Sequence, residues 1–188
     1  MGKPERMGKP AALRTVVVVM GVSGSGKTTI GQLLAERLGV PYADADSFHP
    51  PANVAKMATG QALDDADRYP WLAAIAGWIR RQGHTGGVVS CSALKHHYRD
   101  RLREASPGVW FLHLNIDRDA IVRRFTDRSG HFMPVSLVNS QFQDLEPLRP
   151  DEAGMVIDAS ATPEDIVETA LTRLASSGEL DRIDDPLR

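Results

Sequence analysis

Short β-branched apolar runs alternate along this chain with stretches whose apolar residues recur every three to four positions. The first run, Thr15-Val16-Val17-Val18-Val19-Met20, carries no charge and reads as a strand buried on both faces. Four more runs, at 40–44, 87–91, 109–114 and 155–158, are short, apolar and bounded by Gly, Pro or charged residues, the usual marks of strands. Helical spacing fills the gaps: 29–38 (with a start near Lys27), 51–59, 69–82, 94–105, 118–128, 135–145 and 163–176. The last of these opens with Thr162-Pro163-Glu164-Asp165, a capping residue followed by a proline at the first helical position and two early acids. Strands alternating with helices predict an α/β domain over 15–176, with a parallel sheet covered on both faces. Residues 1–14 and 177–188 are polar and aperiodic and are expected to be tails. In the first of them Met1-Gly2-Lys3-Pro4 recurs as Met7-Gly8-Lys9-Pro10.

Composition narrows the class. A chain of 188 residues suits one domain with a real core. A formal net charge of −2 and a pI near 6.3 give no global attraction to nucleic acid or anionic membranes. The single Cys91 excludes an internal disulfide framework and any multi-cysteine metal site. No apolar run reaches the length of a membrane span, and residues 1–14 lack the apolar centre of a signal peptide, so the expected location is the cytoplasm.

The first strand leads into Gly21-Val22-Ser23-Gly24-Ser25-Gly26-Lys27-Thr28-Thr29, which satisfies every fixed position of the phosphate-binding loop G-x-x-x-x-G-K-[ST]. Glycines at 21, 24 and 26 let the backbone turn its amides inward, and the helix that follows adds its dipole. Gly21, Ser23, Gly24, Ser25, Gly26, Lys27, Thr28 and Thr29 are therefore candidates to hold a nucleotide. Within that set Lys27 bridges the β- and γ-phosphates and the Thr28 hydroxyl ligates Mg²⁺.

In a parallel α/β sheet the ligand lies beyond the carboxyl ends of the strands. After the second strand, Asp44 and Asp46 point to the same side: Asp46 is suited to orient or deprotonate an attacking hydroxyl, and Asp44 to hold a water of the Mg²⁺ shell. His49 is a candidate substrate hydrogen-bond partner. Arg68, at a helix start, offers a planar fork for a carboxylate. After the third strand, small residues at 90–93 leave room for a ligand, and Lys95 and Arg99 are four apart, as on one helix face. Cys91 has no partner base nearby and reads as a wall residue; His96-His97 diverge on a helix and make a poor metal pair. After the fourth strand, Arg124 and Arg128 share a helix face ahead of Gly130, as arginines of a closing lid do.

Taken together these residues resemble the gluconokinase family of small P-loop kinases. Beyond the phosphate loop, the likeness rests on Asp44-x-Asp46-x-x-His49-Pro50, Asn53-x-x-Lys56-Met57 and Leu63-Asp64-Asp65-x-Asp67-Arg68-x-Pro70-Trp71-Leu72. It continues in Cys91-Ser92-Ala93-Leu94-Lys95-x-His97-Tyr98-Arg99-Asp100, Gly130-His131-Phe132 and Gln141-Phe142-x-x-Leu145-Glu146. One departure is Ala45, where the family often has Gly. The resemblance implies a five-stranded parallel sheet of nucleoside-monophosphate-kinase type, a substrate region around 46–80 and a lid around 118–146. It implies transfer from ATP, with Mg²⁺, to the C6 hydroxyl of D-gluconate, commonly in a homodimer. Asp46, His49, Lys56, Arg68, Ser92, Lys95, Arg99 and His131 are suitable types for a polyol carboxylate, Lys27 and Arg128 for transition-state charge, and Arg124 for stacking on adenine. Two other readings stand beside it: another small-molecule kinase, such as one for shikimate, and a catalytically silent nucleotide-binding module.

Overall fold

The computed structural model describes residues 15–127 and 135–180, and of 125–127 and 135–137 the backbone alone. Five parallel strands form one sheet: β1 (Val16–Met20), β2 (Tyr42–Asp44), β3 (Gly87–Ser90), β4 (Trp110–Asn115) and β5 (Gly154–Asp158), in the order β2-β3-β1-β4-β5. The helices among the described residues are α1 (Lys27–Leu38), α2 (Pro51–Ala58), α3 (Asp65–Gln82), α4 (His96–Arg103), α5 (Arg118–Asp127), α6 (Val135–Asp144) and α7 (Pro163–Ser176). A short 3₁₀ turn, Ala45–Phe48, links β2 to α2. The expected parallel α/β sheet is the observed one.

Pleating explains the first apolar run. Successive side chains of a strand point to opposite faces, so Val17 and Val19 enter one core while Val16, Val18 and Met20 enter the other. All five are fully buried. The first core packs α1 and α7 on the sheet through Leu34, Ile166 and Leu174; the second packs α3 and α4 through Leu72, Ile75, Ile79 and Leu102. Leu180, past the end of α7, still packs against the first core.

Two helix starts differ from expectation. Helix α3 starts at Asp65, upstream of Pro70, because Asp64 and Asp67 form a reciprocal capping box: each side chain accepts the other's backbone N–H at 2.9 Å. That cap outweighs the hydrogen bond Pro70 cannot donate. Helix α4 starts at His96, because Lys95 is extended (φ −98°, ψ 150°) and is the N-cap residue.

The order β2-β3-β1-β4-β5 reverses direction around β1, and the crevice outside such a reversal is where this class of sheet takes its ligand. The glycine loop after β1 lies there.

Candidate active site

The loop after β1 is held in shape from several sides. Gly21, Gly24 and Gly26 have φ of 140°, 79° and 104°, and a Cβ on Gly21 would lie 2.8 Å from the Leu114 carbonyl oxygen. No side chain other than hydrogen fits there. Gly26 is the N-cap of α1, whose first turn has neither a side-chain cap nor an acid, so its amides are left for an anion. Ser25 Oγ is buried and has no hydrogen-bond partner among the described residues. The Lys27 ammonium donates to the Val22 carbonyl at 2.9 Å. Burial lowers its pKa, opposed by the charges of Asp46, Cys91 and Asp44. Thr29 is exposed in the first turn of α1.

Thr28 and Asp44 meet beside the loop. The Thr28 hydroxyl donates to Asp44 Oδ2 at 3.1 Å, while Asp44 Oδ1 accepts the Asp46 backbone N–H at 3.0 Å and so caps the 3₁₀ turn. Both donors are hard oxygens, and no group of three or more His, Cys, Asp or Glu placed to hold a metal ion occurs among the described residues. This set fits Mg²⁺, which takes one or two protein oxygens and completes its shell with water and phosphate. Asp46 itself is exposed at the turn, with its charge felt by Lys27 and by His49.

Next to the 3₁₀ turn, α3 and the start of α4 bring a second group of side chains together. His49 stacks on Trp71 with centroids 4.6 Å apart and planes 5° apart, and Trp71 Nε1 donates to the Ala45 carbonyl at 2.7 Å, fixing the 3₁₀ turn. Burial and the Arg68 charge lower the His49 pKa against the opposing pull of Asp46, so the ring is neutral at pH 7. Arg68 donates to the Tyr98 hydroxyl at 2.6 Å, and Tyr98 donates onward to Asp65. Arg68 and Lys95 lie 5.4 and 5.7 Å from the centre of the Tyr98 ring, so two cations sit on one aromatic side chain. Ser92 is half-buried; its carbonyl accepts the Gly21 N–H at 3.3 Å, and Ala93 after it has φ 44°, a left-handed conformation unusual for alanine.

Not every residue named from the sequence faces this space. Lys56 pairs with Asp67 and, at 3.4 Å, with Asp64, so it braces the α3 cap. Arg99 is a correction: it is fully buried and faces away from the cleft. Its donors go to Glu152 (2.6 and 3.1 Å) and to the carbonyls of Ala93, Leu94 and Pro147 (3.0 Å each). That uses all five of a guanidinium's N–H groups. Arg124 donates to the carbonyls of Gly24 (3.2 Å), Ser25 (3.4 Å) and Ala159 (2.8 Å), clasping the phosphate loop from outside. Arg128 and His131 lie outside the described residues. Cys91 is buried, and burial pushes its thiol up to about 12, so it is no nucleophile at neutral pH. His96 contacts Glu146 and Pro147 and His97 contacts Asp65, as befits side chains that diverge.

Two residues of α6 were not singled out from the sequence. Gln141 binds Ser23 of the loop, and Asp144 reaches Arg68 and Lys95. Gln141 stands in the Gln-Phe-x-x-Leu-Glu stretch noted above, which was the one available signal.

Comparison with known proteins separates the possible families. A family model described as shikimate kinase matches residues 23–175. A gluconokinase of Gluconobacter oxydans is 46% identical over 155 residues, covering 81% of this chain and 86% of the relative. The crystal structure of a gluconokinase from Sinorhizobium meliloti superposes with a TM-score of 0.83 at 43% identity, over 89% of this chain and 95% of that one. The chain belongs to the gluconokinase family. It is a kinase of that family, within the wider shikimate-kinase type of fold. The shikimate kinase of Aquifex aeolicus, at 14% identity and a TM-score of 0.59 over 87% of this chain and 98% of its own, shares the fold alone. The thermosensitive gluconokinase of Escherichia coli, 45% identical over 141 residues, covers 74% of this chain and 75% of the relative. No helix among the described residues is long and apolar enough to cross a membrane.

Proposed function

We propose that this kinase transfers the γ-phosphoryl group of ATP to the C6 hydroxyl of D-gluconate, giving ADP and 6-phosphogluconate. The observation that carries the reading is the arrangement in one crevice of the Lys27 phosphate loop, the exposed Asp46 and the two cations Arg68 and Lys95. A gluconate chain has a hydroxyl at one end and a carboxylate at the other, and these groups supply a partner for each.

Gly21, Ser23, Gly24, Ser25, Gly26, Lys27, Thr28 and Thr29 hold the nucleotide phosphates in this reading, with Lys27 on the β- and γ-oxygens. Thr28 and Asp44 would hold Mg²⁺, which would neutralise phosphate charge when bound. Asp46 aligns the C6 hydroxyl and takes its proton as the new O–P bond forms and the bond from γ-phosphorus to the ADP oxygen breaks. Neutral His49, on its Trp71 platform, and Ser92 bind hydroxyls of the chain; Arg68 and Lys95 bind the carboxylate. Arg124, already on the loop, stacks on adenine, and Arg128 and His131 complete the charge and hydroxyl contacts. Lys56 acts through the α3 cap that positions Arg68. The working form is a homodimer in the cytoplasm, with neither nucleic acid nor membrane as partner; light scattering on the purified protein tests the dimer.

A second reading, phosphorylation of shikimate, is favoured by the family model and by the carboxylate that shikimate shares with gluconate. A silent nucleotide-binding module is disfavoured by the joint presence of Lys27, Thr28 and Asp46 around one crevice. A coupled ADP-release assay over gluconate, other sugar acids and shikimate decides. Turnover on gluconate above the rest supports the proposal; turnover on shikimate alone, or on nothing, ends it.

A further inference from the structure

Helix α6 touches both halves of the crevice. Gln141 accepts the Ser23 backbone N–H on Oε1 at 2.7 Å and donates from Nε2 to Ser23 Oγ at 3.1 Å. Three residues on, Asp144 places Oδ1 3.5 Å from Lys95 Nζ and Oδ2 3.7 Å from the Arg68 guanidinium. Residues three apart are neighbours on one helix face, so the two contacts belong to one rigid element. Just past the helix, Glu146 accepts the His96 N–H at the start of α4 and donates its own N–H to the Leu94 carbonyl at 2.9 Å. The chain just past α6 is therefore tethered to the loop carrying Lys95.

We propose that Asp144 stands in for the carboxylate of the acceptor, and that Gln141 relays its displacement to the phosphate loop, so that α6 couples filling of the acid subsite to opening of a phosphate-binding amide. The inference rests on the reading of Arg68 and Lys95 as the carboxylate subsite. Asp144 meets each cation through one oxygen, at distances beyond the roughly 2.7–2.9 Å of a charge-assisted hydrogen bond. An incoming carboxylate that engages the Arg68 fork with both oxygens displaces it. The cations stay in place when it leaves, because Arg68 is also bonded to Tyr98 at 2.6 Å and Lys95 also pairs with Asp65 at 3.6 Å. At the other end, the Ser23 N–H points at Gln141 and is closed to phosphate while that bond lasts. Displacing Asp144 shifts the last turn of α6, which also carries Gln141, draws Gln141 off Ser23 and frees the amide for the nucleotide. Asp144 and Gln141 are thus positioning residues, and by linkage the nucleotide must favour the acid to the same degree that the acid favours the nucleotide.

The test is calorimetric titration of a nonhydrolysable ATP analogue with and without gluconate, and of gluconate alone. The proteins are wild type and the variants Asp144→Asn, Gln141→Ala and Arg68→Ala, each checked for an unchanged melting profile. In the wild type, gluconate is expected to tighten analogue binding on the order of fivefold or more. Asp144→Asn removes the competing carboxylate and is expected to tighten gluconate about three- to tenfold while abolishing the coupling. Gln141→Ala is expected to tighten the analogue in the absence of gluconate and to abolish the coupling as well. Weaker gluconate binding in Asp144→Asn, or full coupling in both α6 variants, overturns the proposal. If Arg68→Ala leaves gluconate affinity unchanged, the carboxylate subsite itself is wrongly placed. If Arg68→Ala weakens gluconate while both α6 variants stay coupled, the subsite stands and only the relay falls.

Discussion

Replacing Arg99 by methionine separates a structural arginine from a substrate-binding one. Arg99 and Glu152 both have side chains with 0% exposure, and Arg99 Nε lies 2.6 Å from Glu152 Oε1. Burial alone raises the Glu152 pKa, but the hydrogen bonds from Arg99 and the Arg149 N–H, with their charges, hold it below the usual 4.5. Arg99→Met removes the cation that meets the buried Glu152 carboxylate directly and leaves only Arg149, 3.7 Å away, and breaking a buried pair in this way costs about 3–5 kcal/mol. At roughly 2–4 °C per kcal/mol for a chain of this size, the melting temperature should fall by about 6–20 °C. Arg99→Met with Glu152→Leu removes the stranded charge and should recover part of the loss. It does not recover all of it, because the Ala93 carbonyl loses its Arg99 donor, while those of Leu94 and Pro147 keep only Glu146 N–H and His96. Urea and thermal unfolding measure the stability, and the KM for gluconate is read well below the transition. A variant that melts like wild type while its gluconate KM rises many-fold would refute the structural assignment and return Arg99 to the substrate.

Lys27→Ala is expected to abolish phosphoryl transfer, whereas Asp46→Asn should lower kcat by about 10²–10⁴-fold with the ATP KM nearly unchanged; steady-state kinetics with an unaltered kcat would remove Asp46 from the mechanism. Gly21→Ala places a Cβ 2.8 Å from the Leu114 oxygen at φ 140°, so nucleotide affinity measured by titration should drop with stability, and an unchanged affinity would show that the loop is not held as described. His113 on β4 is 4% exposed with neither ring nitrogen bonded among the described residues, and burial and the Arg99 charge lower its pKa from 6.5. The unfolded chain takes up this proton first as pH falls, so the neutral ring's contribution is whole above 6.5 and is lost on acidification through the lower folded value. His113→Leu should therefore be neutral or stabilising at pH 7 and flatten the loss of stability below 6.5; an equally steep loss in the variant would assign it to other groups.

The sheet was legible because its strands are short apolar runs between breakers, and Val16–Met20 faces two cores, so no polar residue interrupts it. The phosphate loop was legible for a related reason: its geometry demands glycine at fixed spacing. Arg99 was misread because the i, i+4 argument assumed that Lys95 is helical. Lys95 is extended and caps the helix, so the two side chains part company, and Arg99 turns to Glu152, a partner 53 positions away that periodicity cannot reveal. Lys56 was read as a substrate cation for want of a view of the α3 capping box. Gln141 and Asp144 escaped because their meaning lies wholly in what they touch, Ser23 in one case and the Arg68–Lys95 pair in the other.

The sheet order also sets a hazard during synthesis. Strand β1 emerges first, yet its neighbours are β3 and β4, with Val16 opposite Gly87 and Val17 opposite Trp110. Until the ribosome has released the chain past β3, a bare Val-Val-Val-Val-Met ribbon has no native partner on either edge, and its other edge stays bare until β4 follows. Such a segment, apolar, β-prone and uncharged, invites pairing between nascent or refolding chains, and non-local parallel pairing is slow to end the exposure. Refolding yield should accordingly fall as protein concentration rises, even for a chain whose finished fold is stable.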